Sequence, residues 1–515
     1  MVVIGAGLGG LCAAALLARY GKRVVVCESH SVAGGAAHTF TRQGFHFESG
    51  PSLYSSLSPR SNNPLAQVLH ALQEPLPVLR YNTWRVHVPE FTETTQVGTD
   101  QFAEVLERHV DAEAARQWRE LVAHMVPLSA SSTAVPAAAV RTDGAALITL
   151  ARFLPRLLHN GGSVDAVKAL LRPYSEYVDG KVTHPFLLRW MDLLCFLLSG
   201  APASGTVAAE IGYMFADWYR PGASLEYPVG GSGAIVAALL RGFAKFGGQL
   251  RLNAHVSNIL VEEGRACGVR LRDGTTVRAQ TVISNASIWD TLPMLPSDAL
   301  PPAWRDAEAN TEHCPSFMHL HLGIDAQGLD LPEVHHISVE SWHQGVTSPQ
   351  NLVLVSVPSV LDPALAPQGC HVIHAYTPAT EPWALWEHLQ PGSDAYEALK
   401  RERSEVLWRA VEKAVPGVRA RVRVQMVGTP KTHARFLRRS QGSYGGTGWL
   451  NPEAGGAGGT PAVPTPETPL PGLLCVGDSR FPGPGVPAVA ASGMAAAHSL
   501  VPFWQQCALL DECVP

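Results

Sequence analysis

The sequence is short of charge. Asp, Glu, Lys and Arg make up 16% of its 515 residues, against about 25% in ordinary soluble domains. The two signs nearly cancel, with 39 Lys plus Arg, 44 Asp plus Glu and a net charge of −5. Such a chain has no basic footprint for a phosphate backbone, so a nucleic-acid partner is excluded. It also lacks a long apolar run. The best stretch, Phe186 to Leu198, carries Arg189 and Asp192 and falls short of the ~18 residues of a membrane span. Paired cysteines are missing as well. Nine Cys are scattered with no C-x-x-C, which argues against a disulfide framework and against a zinc site. Cys12, Cys27 and Cys475 stand in apolar runs and are expected to be buried free thiols. No G-x-S-x-G, H-E-x-x-H or P-loop pattern occurs. No catalytic acid or base can be named from the sequence, and no metal site is assigned.

What is present is a large apolar fraction, 46%, with 47 Gly and 40 Pro. That length can bury a sizeable core and suggests roughly three units, although single domains can run to about 250 residues. Residues 1–28 read as strand, glycine turn, helix and strand. Val2 to Ile4 is the first strand, Leu8 to Tyr20 an Ala/Leu helix, and Arg23 to Cys27 the second strand, which together form a βαβ unit. From about 64 to 215 helical periodicity dominates. Phe186, Leu187, Trp190, Leu193, Leu194 and Leu197 share one helical face. A helix is expected over Ser232 to Phe246. Short β-branched runs over 249–284 turn at Asp273-Gly274, a strong hairpin signal, with Val277 to Ile283 as the returning strand. Strands at Phe317 to Leu322 and Leu352 to Val357, and a helix over Arg401 to Ala414, follow. The Gly/Pro/Thr-rich segment 445–472 reads as a loop. A strand at Leu473 to Val476 and a helix from Pro487 to Leu500 close the pattern.

Three motifs carry chemistry. Gly5-Ala6-Gly7-Leu8-Gly9-Gly10 matches G-x-G-x-x-G at Gly5, Gly7 and Gly10. The pattern gives a sharp turn, a close approach for a pyrophosphate and tight helix packing, and it aims a helix N-terminus at the phosphates. Glu28, with Ser29 beside it, ends the next strand and suits ribose hydroxyls. Gly34-Gly35 is not needed by a bare NAD site but suits an extended FAD whose backbone neighbours must be close. Gly477-Asp478 follows the last strand. Asp478 suits ribityl hydroxyls, and the helix opening at Val486-Pro487 would point its positive end at the flavin's pyrimidine edge. The motifs lie at opposite ends of the chain, so the chain must leave and re-enter one FAD domain.

Nearly the whole chain resembles the phytoene desaturase and carotenoid isomerase group of flavoproteins, within the amine-oxidase-like superfamily. The resemblance is carried by VVIGAGLGGLCAAALLARYGKRVVVCES, GGAAHTFTRQGFHFESGPSLYS, YPVGGSGAIVAALLRGFAKFGG with HVSNILVEEGRACGVRLRDG, and LLCVGDSRFPGPGVPAVAASG. RWMDLLCFLLSG, YMFADWYRPGASLEYP and HAYTPATEPWALWEHL are similar to the plant and algal branch. It implies an α/β fold, a Rossmann-like FAD-binding domain with an inserted substrate domain. Residues 1–80, 220–290 and 430–515 would form the FAD domain, and 81–219 with 291–429 the substrate domain. Gly5, Ala6, Gly7, Gly10, Glu28, Ser29, Gly34, Gly35, Gly477, Asp478, Val486 and Pro487 would surround FAD. By the same resemblance Val256 in HVSNI lends its backbone to the adenine, and Gly50 and Pro51 pass near the flavin ring. The implied partner is an apolar polyene in a long tunnel, and the implied activity is cis–trans isomerisation of a poly-cis carotene by reduced FAD. Desaturation, retinol-saturase-like reduction, amine oxidation and a non-catalytic carotenoid-binding flavoprotein are the alternatives.

Several features have two readings. Tyr213, Phe215, Trp218 and Tyr219 read as core packing, with a tunnel wall as the alternative. Arg152 to Leu158 reads as a core-facing helix with solvated arginines, or as a membrane-dipping amphipathic segment. His319 and His321 share a strand face and are taken as structural rather than as metal ligands, and His335-His336 likewise. Arg438-Arg439 reads as a solvated surface doublet. The family likeness implies a plastid location and peripheral contact with lipid. No targeting segment is visible, and a chain that opens inside a strand is expected to have lost residues before it.

Overall fold

The computed structural model describes residues 1–50, 52–59, 61–159, 170, 172–446 and 464–513. Pro51 and most of the 445–472 loop lie outside the described residues. Three larger sheets, with two two-stranded ribbons beside them, organise the rest. The first is fully parallel, with strands in the order Leu473–Cys475, Val282–Ser284, Val2–Ile4, Val25–Cys27 and Gln249–Arg251. Val2, Val3, Val26, Val282 and Ile283 are fully buried, as expected of parallel strands covered on both faces. Helix Leu8–Arg19 packs on this sheet together with helices Ser232–Lys245 and Val486–Ser499. Strands at both ends of the chain therefore meet in one sheet, and their carboxyl ends open on one side. That is where ligands bind in such folds.

A three-stranded antiparallel meander, Val256–Glu262, Arg265–Leu271 and Thr276–Arg278, lies beside it. The run Val277 to Ile283 is thus two strands in two sheets rather than one. The third sheet has seven strands and is mixed. Its order is Val422–Gly428, His319–Asp325, Cys370–Tyr376, Leu352–Ser356, His335–Val339, Thr83–His87 and Thr92–Gln96. Only the pair Thr83–His87 and His335–Val339 is parallel. The helical reading of 64–215 therefore needs correction at 78–96, where strands Val78–Tyr81, Thr83–His87 and Thr92–Gln96 intervene. Helices then cap that sheet. Helix Pro185–Ser199 buries Phe186, Leu187, Trp190, Leu193 and Leu194, and helix Ala208–Met214 runs into a π-helical turn at Phe215–Tyr219. Among the described residues no helix is long and apolar enough to cross a membrane.

Candidate active site

The glycine turn is built by close contacts between backbone segments. Strand Val2–Ile4 ends, and the Gly5 N–H donates to the Cys27 carbonyl at 2.8 Å. A Cβ on Gly10 would stand 2.4 Å from the Gly5 carbonyl oxygen. Gly10 therefore lets helix Leu8–Arg19 press onto the turn that precedes it. Gly7 caps this helix in an extended conformation, φ −70° and ψ 168°, and no side chain caps it. The first N–H groups of a helix have no intrahelical acceptor, so this end presents donors and the positive dipole end to whatever lies before it.

Glu28 is buried at the tip of strand Val25–Cys27. Its Oε2 accepts the Ala6 N–H at 2.7 Å and its Oε1 the His30 N–H at 2.7 Å, with Ser29 Oγ at 3.3 Å. The carboxylate is thus held rigidly, with lone pairs left for a further donor. Gly34 donates to the Ala6 carbonyl at 2.8 Å, and a Cβ on Gly35 would approach Gly7 Cα to 3.0 Å. Gly50 presses on Ala36 in the same way, 2.6 Å from its carbonyl oxygen for a built Cβ. At the other end of the chain, helix Val486–Ser499 starts after Gly485, also without a side-chain cap. It opens one residue before Pro487, which takes the second helical position.

These parts surround one cavity of about 1010 Å³, at the upper limit of usual small-molecule sites. Gly5, Gly7, Glu28, Ser29, Gly34, Gly35, Gly50, Val256, Gly477, Asp478, Val486 and Pro487 all line it. Ala6 and Gly10 do not; they stand behind the wall and hold its shape. Away from the glycine turn the same cavity reaches Phe196, Leu197 and Leu198 of helix Pro185–Ser199, Met214, and Leu354 and Tyr376 of the seven-stranded sheet. Two uncapped helix ends and a row of glycines therefore face one chamber with a largely apolar far wall. The donors and cradle fit a dinucleotide with a pyrophosphate, and the chamber continues past it.

Sequence reasoning missed two residues here. Asn285 follows strand Val282–Ser284 and lines the cavity. Its amide sits 2.8 Å from a Cβ built on Gly7, 2.7 Å from one on Gly9 and 2.9 Å from one on Gly477. One side chain thus packs against both end motifs. Arg439, read as solvated surface, is instead largely buried and lines the cavity. Its guanidinium lies 2.6 Å from Asp478 Oδ2 and over the Tyr444 ring. Burial works against its charge, and the Asp478 carboxylate outweighs it, so its pKa is raised.

The ambiguous features resolve unevenly. Tyr213 and Trp218 line the cavity, whereas Phe215 and Tyr219 pack on Trp118 in the core. Phe153 is buried, but Leu154, on the same turn, is 51% exposed, so this segment is not simply core-facing. Leu157 and Leu158 lie outside the residues whose side chains are described. His319 and His321 stack at 3.8 Å within a buried group containing His374 and His433. Burial lowers the pKa of each and keeps it neutral. Among the described residues no three His, Cys, Asp or Glu are placed to hold a metal ion. Beside this group Glu48 is fully buried and pushed up to about 7 by desolvation, while its Oε1 accepts the Ser232 N–H at 2.7 Å. All nine cysteines are free thiols.

Comparison with known proteins places this geometry. Residues 8–501 match the model of the flavin containing amine oxidoreductase family. The chain is 32% identical to the chloroplastic prolycopene isomerase of Arabidopsis thaliana, over 96% of this chain and 82% of that protein. It is 25% identical to the neurosporene-forming phytoene desaturase of Cereibacter sphaeroides, over 95% and 92%. An oxidoreductase from Methanosarcina mazei has the same fold, with a TM-score of 0.65 and 21% identity over 96% of this chain and 98% of that one. The cofactor is FAD, and the protein is an FAD-dependent enzyme with the Rossmann-like fold that its end motifs imply. The chain belongs to the flavin containing amine oxidoreductase family.

Proposed function

We propose that this enzyme isomerises a poly-cis carotene, prolycopene-like, to a more trans form with FAD in its reduced state. The observation that carries the reading is the single chamber. The glycine cradle and the apolar walls at Phe196, Leu197, Leu198 and Leu354 belong to one continuous cavity, so a long hydrocarbon and FAD can share it. The likeness to prolycopene isomerase supports the same reading. Bound reduced FAD supplies an electron-rich, negatively charged partner that helps lower the double-bond order of a polyene.

The chain's own residues do the holding. In this reading the N-terminus of helix Leu8–Arg19, reached past Gly7, takes the pyrophosphate. Glu28 takes ribose hydroxyls, and the Val256 backbone meets the adenine. Gly34, Gly35 and Gly50 leave room beside the flavin, and Asp478, steadied by Arg439, takes ribityl hydroxyls. The N-terminus of helix Val486–Ser499 stabilises negative charge on the reduced ring. The chain divides accordingly, with 1–80, 220–290 and 430–515 holding FAD and 81–219 with 291–429 shaping the substrate chamber. Phe317 and Tyr444 stack face to face at 4.2 Å. That leaves no slot between them for an amine and disfavours amine oxidation.

A polyene must be drawn from lipid, and exposed apolar side chains support a contact with it. Leu147, Ile148 and Leu154 are 79%, 56% and 51% exposed, close in sequence to Val140 and Thr142 of the cavity wall. This face is proposed to rest on a membrane surface, in a plastid as for the chloroplastic relative. Desaturation is the second reading, favoured by the desaturase relative. Anaerobic incubation with a poly-cis lycopene in lipid separates the two. An altered isomer of unchanged mass, formed only with reduced flavin, supports isomerisation. Loss of two hydrogens with oxidised flavin refutes it in favour of desaturation.

A further inference from the structure

The cavity holds an acid that has no hydrogen-bond or ion-pair partner among the described residues. Glu210 lies on helix Ala208–Met214 and lines the chamber. Two turns on, Asp217 also lines it, but each oxygen of its carboxylate accepts a hydroxyl, from Ser55 and Ser56, both at 2.8 Å. Asp217 ties the 52–59 segment to the π-helical turn. Glu210 has no such task. Among the described residues its carboxyl receives no hydrogen bond and no ion pair, and burial pushes its pKa up to about 7. Its near neighbour on helix Pro185–Ser199 is the buried Cys195 thiol, which offers no charge.

An unpaired carboxylate is costly in an apolar chamber. When a hydrocarbon fills the chamber and expels water, the neutral acid is the form that remains. Such an acid has one donor, and a carotene offers it only π electrons. We propose that Glu210 is a catalytic residue of the isomerisation, the group that gives a proton to the polyene and accepts one back. The inference rests on the isomerase reading above. The Glu210 O–H bond breaks, and a C–H bond forms on one carbon of a cis double bond from that bond's π pair. The remaining conjugated chain spreads the positive charge. The former double bond is now single and rotates. The Glu210 carboxylate then removes one of the two hydrogens now on that carbon, the original one in part of the turnovers, and the C–H pair re-forms the double bond as trans. Nothing is oxidised or reduced, and the carboxylate stands beside the cation as its counter-ion.

The test uses the FAD-loaded enzyme, anaerobic and reduced, with poly-cis lycopene in deuterated buffer. The wild type is expected to place solvent deuterium in the chain of the product. Glu210→Gln should retain FAD and bound polyene, lose about 100-fold or more of the rate and incorporate no deuterium. Glu210→Asp should recover part of both. A second readout needs no turnover. In FAD-free protein, polyene binding should shift one protonated-carboxyl infrared band, and that difference signal should be absent from Glu210→Gln. Wild-type isomerisation without deuterium, together with full activity in Glu210→Gln, overturns this role and leaves the isomerase reading standing. Weakened polyene binding with kcat intact also overturns it, making Glu210 a recognition group. No isomerisation by the wild type in either flavin state overturns the isomerase reading and this one with it.

Discussion

Two glycines three residues apart should fail in different ways. At Gly7 the backbone is extended, φ −70° and ψ 168°, a conformation any β-branched residue adopts. The closest atom to a new Cβ is the Asn285 amide nitrogen at 2.8 Å, the end of a side chain that can swing aside. Gly7→Val should therefore fold with little change in stability. Its added methyls fill the space between the helix N-terminus and the chamber, where the FAD pyrophosphate is proposed to lie. Losing that approach is expected to weaken FAD by about 100-fold or more, roughly 3 kcal/mol. At Gly10 a Cβ meets the Gly5 carbonyl oxygen at 2.4 Å and Asn285 Cβ at 2.9 Å. The first neighbour is backbone and has nowhere to go. Gly10→Ala should cost about 1–3 kcal/mol as overpacking, visible in urea unfolding of the FAD-free protein, and should lower FAD affinity only as the turn shifts. Both apo-proteins can be unfolded in urea and then titrated with FAD by flavin fluorescence. If Gly7→Val binds FAD normally while folded, the pyrophosphate is not where the account puts it. If Gly10→Ala is as stable as the wild type, the packing argument for the turn is wrong.

Other outcomes follow from the same structure. Arg439→Met strands the Asp478 carboxylate and should cost about 3 kcal/mol in the apo-protein; Arg439→Met with Asp478→Asn should recover most of it, as a double-mutant cycle reads directly. Glu48 keeps its proton to about pH 7 when folded, against 4.5 for the ordinary carboxyl. Its contribution to stability is therefore complete below about pH 4.5 and is lost as pH rises to about 7, on the order of 3 kcal/mol. Glu48→Gln should remove that slope from unfolding measured between pH 5 and 8, and an unchanged slope would contradict it. Leu147→Ser with Ile148→Ser should reduce flotation with lipid vesicles without reducing FAD content, and unchanged flotation would move the membrane face elsewhere.

The glycine cradle was legible because its residues are dictated by local contacts. Gly5, Gly7 and Gly10 sit within one turn, and Glu28 closes the adjacent strand, so order along the chain is enough to recognise the unit. Gly477-Asp478 was legible for the same reason, as strand, turn and helix in sequence. Asn285 was not. A lone asparagine carries no pattern, and its role comes from three glycines in two distant segments. The one available signal was its place at the carboxyl end of an apolar strand, where open parallel sheets bind ligands. Arg439 was misread because a basic doublet looks solvated until its partner, Asp478, is known. The strands over 78–96 were missed because TETTQ and TWRVH bury only part of each face. The pairing of Thr83–His87 and Thr92–Gln96 within the seven-stranded sheet, and of Val78–Tyr81 with Leu225–Pro228, outweighs a helical pattern in the surrounding sequence. Glu210 was invisible for a related reason: nothing in AAEIGYM marks a carboxyl that ends without a partner.

The central claim is that the enzyme turns over a polyene without net redox chemistry. The most direct test is to hold the enzyme anaerobic with its FAD reduced and add a large excess of poly-cis lycopene. The flavin spectrum and the isomer composition are then followed together. The account predicts many molecules of trans product per flavin while the spectrum stays that of the reduced form. One product per flavin, gained with two hydrogens as the flavin becomes oxidised, would contradict it and make the enzyme a reductase of the polyene.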